Sequence, residues 1–295
     1  MNGATGWRFN ADRVLPLEPW CLMGILNVTP DSFSDGGVHL DPEHAVNSGM
    51  QMTRQGASVL DIGGESTRPG ADTVSIDEQI SRVVPVIEGI RRHSEGAEVV
   101  ITVDTTRAAV AEAAFEAGAD AVNDVSAGMD DPAMLPLVGE RDRGVILMHR
   151  LRPPEKDSFS DRYEEEPVYE NVVEDVRGWL AGRVSEAMQA GIHPDSIAVD
   201  PGLGFGKSVE QNHQLLAGLP GLISDGRPVL VGASRKSFLG AVTGISEPRD
   251  RDPESIVAAV EAWRRGARFF RVHNPDSHRR ALLVAAAVAS STPRL

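Results

Sequence analysis

The chain has 295 residues, 41% hydrophobic and 24% charged, with a formal net charge of −14. A globular chain of this length buries about three quarters of its unfolded surface, so a stable core is expected. The acidic balance argues against a nucleic-acid partner, because tracking a phosphate backbone needs clustered Lys and Arg.

Residues 1–20 read as an N-terminal lead-in, 21–290 as one domain and 291–295 as a tail. The lead-in shows no cationic region followed by an apolar stretch, and no window approaches the length of a membrane span, so a soluble, cytoplasmic protein with no membrane partner is expected. Cys21, the single cysteine, opens the first apolar run and reads as a small buried hydrophobe in a reducing compartment.

That first run, Cys21 to Leu26, ends in Asn27, and Asp41-Pro42-Glu43 then opens a helix reaching about Gln55. The second run, Ser58 to Leu60, ends in Asp61 and is followed by a helix from Asp77 to His93. Val99 to Val103 leads into Asp104 and a helix from Arg107 to Ala117; Ala121-Val122 leads into Asn123-Asp124 and a helix from Asp131 to Glu140. The fifth run, Val145 to Met148, meets His149, after which Leu151 to Glu166 lacks periodicity and reads as either a functional lid or a mobile loop. A helix from Pro167 to Ala190 precedes the sixth run, Ile197 to Val199 into Asp200, and a helix from Val209 to Ala217 follows it. Val229 to Ala233 leads into Ser234-Arg235-Lys236, with a short helix starting at Lys236 or Ser237 and a longer one from Pro253 to Arg265. Phe269 to Val272 leads into His273, and a final helix runs from Pro275 to Ala289. Eight buried runs separated by helix-length crossovers predict an α/β protein, a single (β/α)8 TIM barrel with its active site at the C-terminal ends of the strands.

The loops after the first two runs, Asn27 to Gly37 and Gly63 to Gly70, are rich in turn formers and hydroxyls, which structural turns alone would also produce. Arg68 adds a fork-shaped donor for phosphate oxygens, and Asn27 a hard oxygen ligand suited to Mg²⁺. The stretch from Asp200 to Ser208 ends in Gly-Lys-Ser, but Pro201 occupies the first glycine position of a Walker A loop, and Lys207 the last of G-x-G-x-x-G. Its glycines are read instead as letting backbone approach a flat ligand. Asp104, Asn123 and Asp200 converge if the barrel closes, either as a hydrogen-bonded structural cluster or as acceptors for the amino-amidine edge of a pterin or guanine. Ser234 to Ser237 and Arg271 to His273 bring positive charge to strands seven and eight, where barrels commonly bind anions. His149 receives no catalytic role, and neither a zinc set nor a Gly-x-Ser-x-Gly elbow is present.

Seven stretches, in order, closely resemble the dihydropteroate synthases: Gly24 to Gly37, Asp61 to Gly70, Val103-Asp104-Thr105, Asn123 to Ser126, Asp200 to Lys207, Ser234-Arg235-Lys236 and Arg271-Val272-His273. The resemblance implies a transferase of folate biosynthesis, condensing (7,8-dihydropterin-6-yl)methyl diphosphate with 4-aminobenzoate to 7,8-dihydropteroate and diphosphate by a dissociative route. It places Asp200, Asn123 and Asp104 on the pterin with Lys236 on the ring's other side. Asn27 carries Mg²⁺ beneath the diphosphate, and Arg68, Arg271 and His273 meet its oxygens. Thr67, Pro69, Phe205 and Ser237 form the aminobenzoate slot, with the carboxylate at a helix N-terminus. The loops at Asn27 and Thr67 are implied to close over the site, and the molecule to be a homodimer. Two positions depart from the family pattern: Arg150, where an apolar residue is more usual, and Asn274, where Asp is. Two alternatives share such a pocket: a pterin-binding paralogue without turnover, and a pterin-dependent methyltransferase, against which the diphosphate-binding first loop speaks.

Overall fold

The computed structural model describes residues 4–29 and 42–291. After a hairpin of β1 (Gly6–Asn10) and β2 (Arg13–Pro16) come eight parallel strands: β3 (Cys21–Asn27), β4 (Val59–Gly63), β5 (Val100–Asp104), β6 (Ala121–Asp124), β7 (Gly144–Met148), β8 (Ile197–Asp200), β9 (Leu230–Val231) and β10 (Phe269–Val272). Their order, β8-β7-β6-β5-β4-β3-β10-β9, brings the sheet round on itself. A parallel bridge between Val199 and Val229, with the Val199 amide donating to the Pro228 carbonyl at 2.9 Å, closes the last seam. The helices are α1 (Pro42–Arg54), α2 (Ile76–Arg92), α3 (Ala108–Glu116), α4 (Met134–Glu140), α5 (Val172–Gln189), α6 (Val209–Ala217), α7 (Leu219–Ile223), α8 (Ser237–Thr243), α9 (Asp252–Arg264) and α10 (Pro275–Ser290). The expected barrel is therefore the observed one.

Period-two alternation sorts the strand side chains. Leu60, Ile62, Ile101, Val103, Val122, Leu147 and Phe270 pack outward against the helices. Cys21, Met23, Val59, Val100, Ala121, Ile146, Ala198, Leu230 and Phe269 instead form a separate cluster, which also contains Trp7, Phe9, Leu15 and Leu17 of the N-terminal segment. The lead-in is thus a plug for the amino-terminal end of the barrel. Trp7 is fully buried, its indole N–H donates to the Ser196 carbonyl at 3.0 Å, and its ring centroid lies 5.7 Å from that of Phe269. Side chains of this kind contribute about 1.5–3 kcal/mol each when fully buried, so the hairpin belongs to the core. Cys21 is buried in the same cluster, and burial raises its thiol pKa.

Three of the element boundaries that differ from expectation do so for a clear local reason. α5 starts at Val172 because Asn171 caps it, accepting from the Val173 and Glu174 amides, while the residues before it are tied elsewhere. Tyr169 donates to the Gly206 carbonyl at 2.8 Å, and the Pro167 carbonyl accepts from Gln211 at 2.6 Å. α4 starts at Met134 because Asp131 turns the chain first, accepting the Ala133 and Ala108 amides at 3.0 and 2.9 Å. The seventh strand shrinks to Leu230–Val231, with Gly232, just past its end, lining both cavities of the site described below. Asp41, the expected cap of the first helix, and the glycine-rich end of the first loop lie outside the described residues. Among the described residues, no helix is long and apolar enough to cross a membrane.

Candidate active site

At the carboxyl ends of the strands the inward positions change from apolar to polar. Asp61 follows Val59, Thr102 and Asp104 follow Val100, Asn123 follows Ala121, Asp200 follows Ala198, and Arg271 and His273 follow Phe269. Two adjoining cavities open among them. Asp104, Asn123 and Asp200 line the inner one, whereas Asn27, Arg68, Pro69, Ser237 and His273 line the outer one. Thr67, Phe205, Lys236 and Arg271 border both, so all twelve site residues expected from the sequence meet at one mouth.

The inner cavity is organised by a residue to which the sequence reading gave no role. Asp61 is completely buried and accepts from Thr102 Oγ1 at 2.5 Å, Asn123 Nδ2 at 3.0 Å and Arg271 Nε at 2.6 Å. Arg271 also donates to Asp104 at 2.8 Å, so one guanidinium bridges two carboxylates. Burial opposes the charge of Arg271, but Asp61 and Asp104 outweigh it and raise its pKa further. Asp104 is left with one oxygen, Oδ1, buried and without a hydrogen-bond partner among the described residues. Burial, and then the nearby Asp61, push its pKa from 3.8 to about 7. Asp200 accepts the Gly202 amide at 2.7 Å with one oxygen, and burial raises its pKa as well. Because Asn123 spends its NH₂ on Asp61, its carbonyl oxygen is the acceptor it can offer to a ligand. Three acceptors thus face a cavity with apolar walls at Val125 and Met148.

Cations gather at the outer cavity. The Lys236 ammonium sits 4.0 Å from the centroid of Phe205, and burial, followed by Arg271, lowers its pKa to about 8. Burial and the surrounding Arg235, Arg271 and Arg68 lower the His273 pKa to about 3, so its imidazole is neutral near pH 7. Ser234 Oγ accepts the His273 amide at 3.2 Å and lies within hydrogen-bond distance of Nδ1 at 2.9 Å, which holds the ring in place at the cavity. Arg235, between Ser234 and Lys236, adopts a left-handed φ of 60° that costs energy in a non-glycine residue. Ser255 accepts its amide at 2.8 Å and Asp252 holds its guanidinium at 2.7 and 3.1 Å. Asn274 joins the same clamp by donating to Asp252 at 3.2 Å. An Asp there would set two carboxylates against each other, so this departure from the family pattern has a local partner.

The loop after β8 is pinned from beneath. Lys207 is fully buried, with its ammonium 2.9 Å from the Gly202 carbonyl, 2.8 Å from that of Phe205 and 2.9 Å from His149 Nδ1. His149 is accordingly neutral, its pKa lowered to about 2 by burial and then by Lys207, and it serves this anchor rather than the reaction. The loop glycines, of which Gly202 and Gly204 line the cavities, also accommodate the neighbouring chain. At Gly202, with φ 68°, an added Cβ would lie 1.8 Å from the His149 carbonyl, and at Gly206 it would lie 2.3 Å from Leu151 Cβ. Their close approach is to the neighbouring chain segment as much as to any ligand. Arg150 pairs with Asp130, bridging the loops after β7 and β6, which accounts for a charged residue at that position.

A barrel whose mouth joins an acceptor-lined pocket for a flat heterocycle to a cationic outer chamber defines an enzyme of the pterin-binding class. The sequence profile of the family described as pterin binding enzyme matches residues 23–273. Dihydropteroate synthase from Mycobacterium leprae (strain TN) is 42% identical over 287 residues, covering 95% of this chain and 98% of that relative. Dihydropteroate synthase from Streptococcus pyogenes serotype M1 is 43% identical over 254 residues, 86% of this chain and 90% of that relative. Among solved structures, Xanthomonas albilineans dihydropteroate synthase with 4-aminobenzoic acid superposes with a TM-score of 0.87 at 41% identity, covering 98% of this chain and 100% of that one. The same enzyme in complex with 7,8-dihydropteroate gives 0.83 at 39% identity, covering 95% and 98%. The chain belongs to the pterin binding enzyme family and, within it, to the dihydropteroate synthases. These relatives support the synthase reading and neither of the two alternatives.

Proposed function

We propose that the two cavities divide the dihydropteroate synthase reaction between them, the inner one holding the pterin and the outer one both the departing diphosphate and the incoming 4-aminobenzoate. The observation that carries this assignment is the border formed by Thr67, Phe205, Lys236 and Arg271, where the exchanging carbon of the pterin methyl group would lie. Asp200 and Asn123 accept from the amino-amidine edge, the unpartnered oxygen of Asp104 accepts from a further ring N–H, and Lys236 contacts the ring from the opposite side. The carbon–oxygen bond breaks with its electron pair leaving on diphosphate, and the pterin-stabilised methyl cation is captured by the aniline nitrogen, which then loses a proton. Arg68, Arg271 and neutral His273 stabilise negative charge as it develops on the leaving group. Thr67, Pro69, Phe205 and Ser237 hold the aminobenzoate ring, its carboxylate at the start of α8. Closure of the loops at Asn27 and Thr67 would exclude water from the cation; most of the first lies outside the described residues.

Asn27 fits Mg²⁺: its amide oxygen is a hard donor at the outer cavity, and the described residues contain no group of three His, Cys, Asp or Glu that would demand another metal. Such a donor suits an ion that keeps its waters and takes its other ligands from substrate phosphates, and when bound it would supply positive charge to the diphosphate. A cytoplasmic homodimer completes the proposal. Val242 and Val257 stand exposed beside Leu216 and Leu239 on the face made by α6, α8 and α9, apolar surface that a second copy would cover.

Purified protein supplied with both substrates and Mg²⁺ is expected to release diphosphate and yield a product with the mass of dihydropteroate, and chelation is expected to stop it. Tight pterin binding without product would refute the assignment. Lys236→Ala is expected to weaken pterin binding about tenfold or more, whereas Arg68→Ala lowers kcat with pterin affinity nearly unchanged. Equal effects of the two variants on both quantities would remove the division of roles.

A further inference from the structure

The charged segment 151–166 is tied across the outer cavity at four points. The Pro154 carbonyl accepts the Gly70 amide at 3.2 Å, and Asp157 accepts the Gly206 amide at 2.7 Å. The Ser160 amide donates to Ser237 Oγ at 3.1 Å, while its hydroxyl accepts from Asn212 Nδ2 at 3.0 Å. Ser160 is buried by these contacts. Held just ahead of it, the half-buried ring of Phe159 lines the outer cavity together with Pro69, Phe205 and Ser237, and the Arg162 guanidinium lies 5.2 Å from the ring centroid.

We propose that Phe159 is a specificity-determining residue for the arylamine substrate, forming the far wall of its slot and limiting the length of the group para to the amine. The inference rests on the placement of 4-aminobenzoate given above. The amine must reach the border with the inner cavity, which Thr67 and Phe205 share; Phe159 lines only the outer cavity, and its neighbour Ser160 is bound to Ser237, the residue at the carboxylate-bearing end. Ser237 Oγ already accepts the Ser160 N–H, so its own proton is available to that carboxylate, and the anchor that seats Phe159 also orients the hydroxyl. An aromatic wall offers contact area to the benzoate ring and no donor for an extended polar substituent.

Phe159→Ala is expected to raise KM for 4-aminobenzoate about tenfold, while KM for the pterin diphosphate stays within about twofold. It should also shift the ratio of kcat/KM for 4-aminobenzoylglycine over 4-aminobenzoate upward by about tenfold, with Phe159→Leu intermediate. Thr67→Ala, assayed in parallel, reports on the slot itself. If Thr67→Ala raises KM for 4-aminobenzoate but Phe159→Ala changes neither KM nor the preference, the role of Phe159 is overturned and the slot stands. If neither variant moves KM, the placement of the slot falls too.

Discussion

Asp61→Ala is expected to lower kcat/KM by about a thousandfold or more and to destabilise the fold by about 3 kcal/mol. The carboxylate reaches no ligand position in the mechanism above, so the effect is transmitted through its partners. It holds Arg271 at 2.6 Å and Asn123 at 3.0 Å, one residue that borders both cavities and one from the inner. Without it the guanidinium keeps only Asp104, and the Asn123 amide is free to turn its NH₂ toward a pterin edge that also donates. Two misoriented groups acting on one substrate exceed the loss of either alone. Asp61→Asn preserves the volume but puts an N–H₂ where donors converge, so activity should fall nearly as far. Measuring kcat/KM alongside denaturant unfolding separates the two effects; a folded Asp61→Ala enzyme within about tenfold of the parent would refute the account.

Asp104→Asn is expected to do something less common, weakening pterin binding about a hundredfold or more while raising thermal stability at pH 8. In the folded protein the Asp104 pKa is raised from 3.8 to about 7, because burial and Asp61 disfavour the carboxylate. A raised acid binds its proton more tightly folded than unfolded, so folding stability is lost as pH climbs between those two values and the full penalty persists above the upper one. Asparagine removes the penalty and still accepts from Arg271, for a gain of about 1 kcal/mol at pH 8 that vanishes in acid. Its NH₂ then points where the carboxylate offered a free oxygen to a ring N–H, leaving two donors facing each other. By the same sign, pterin affinity of the parent enzyme should rise as pH passes upward through about 7, and this limb should be absent in the variant. Unfolding scans at pH 8 and pterin titrations across pH check both halves; a lower melting temperature with unchanged affinity would contradict them.

Much of the barrel was legible in the chain because each strand is a short apolar run bounded by helix caps and turn formers. Asp104, Asn123 and Asp200 stand out since a polar residue at the end of such a run has only the barrel mouth to face. Asp61 was harder. In the sequence it looks like the end of a run, yet Ile62 and Gly63 continue the strand, and the parity that points Val59 inward points Asp61 inward too. A carboxylate inside a buried strand requires partners, but those partners, Arg271 and Asn123, lie 210 and 62 positions away. The loop at 151–166 carried no periodic signal at all, because its order comes from single hydrogen bonds to two other loops, to α6 and to the start of α8 rather than from a repeating face.

Local patterning therefore specifies the elements of this enzyme, their order and the residue types available at the strand ends, since period-two burial and capping act within a few positions. Which carboxylate anchors and which one binds, where Lys207 and His149 spend their hydrogen bonds, and what the N-terminal hairpin seals depend on the closed barrel. Burial and pairing between residues far apart in the chain are set by the closed barrel, which brings the eight strand ends to one mouth.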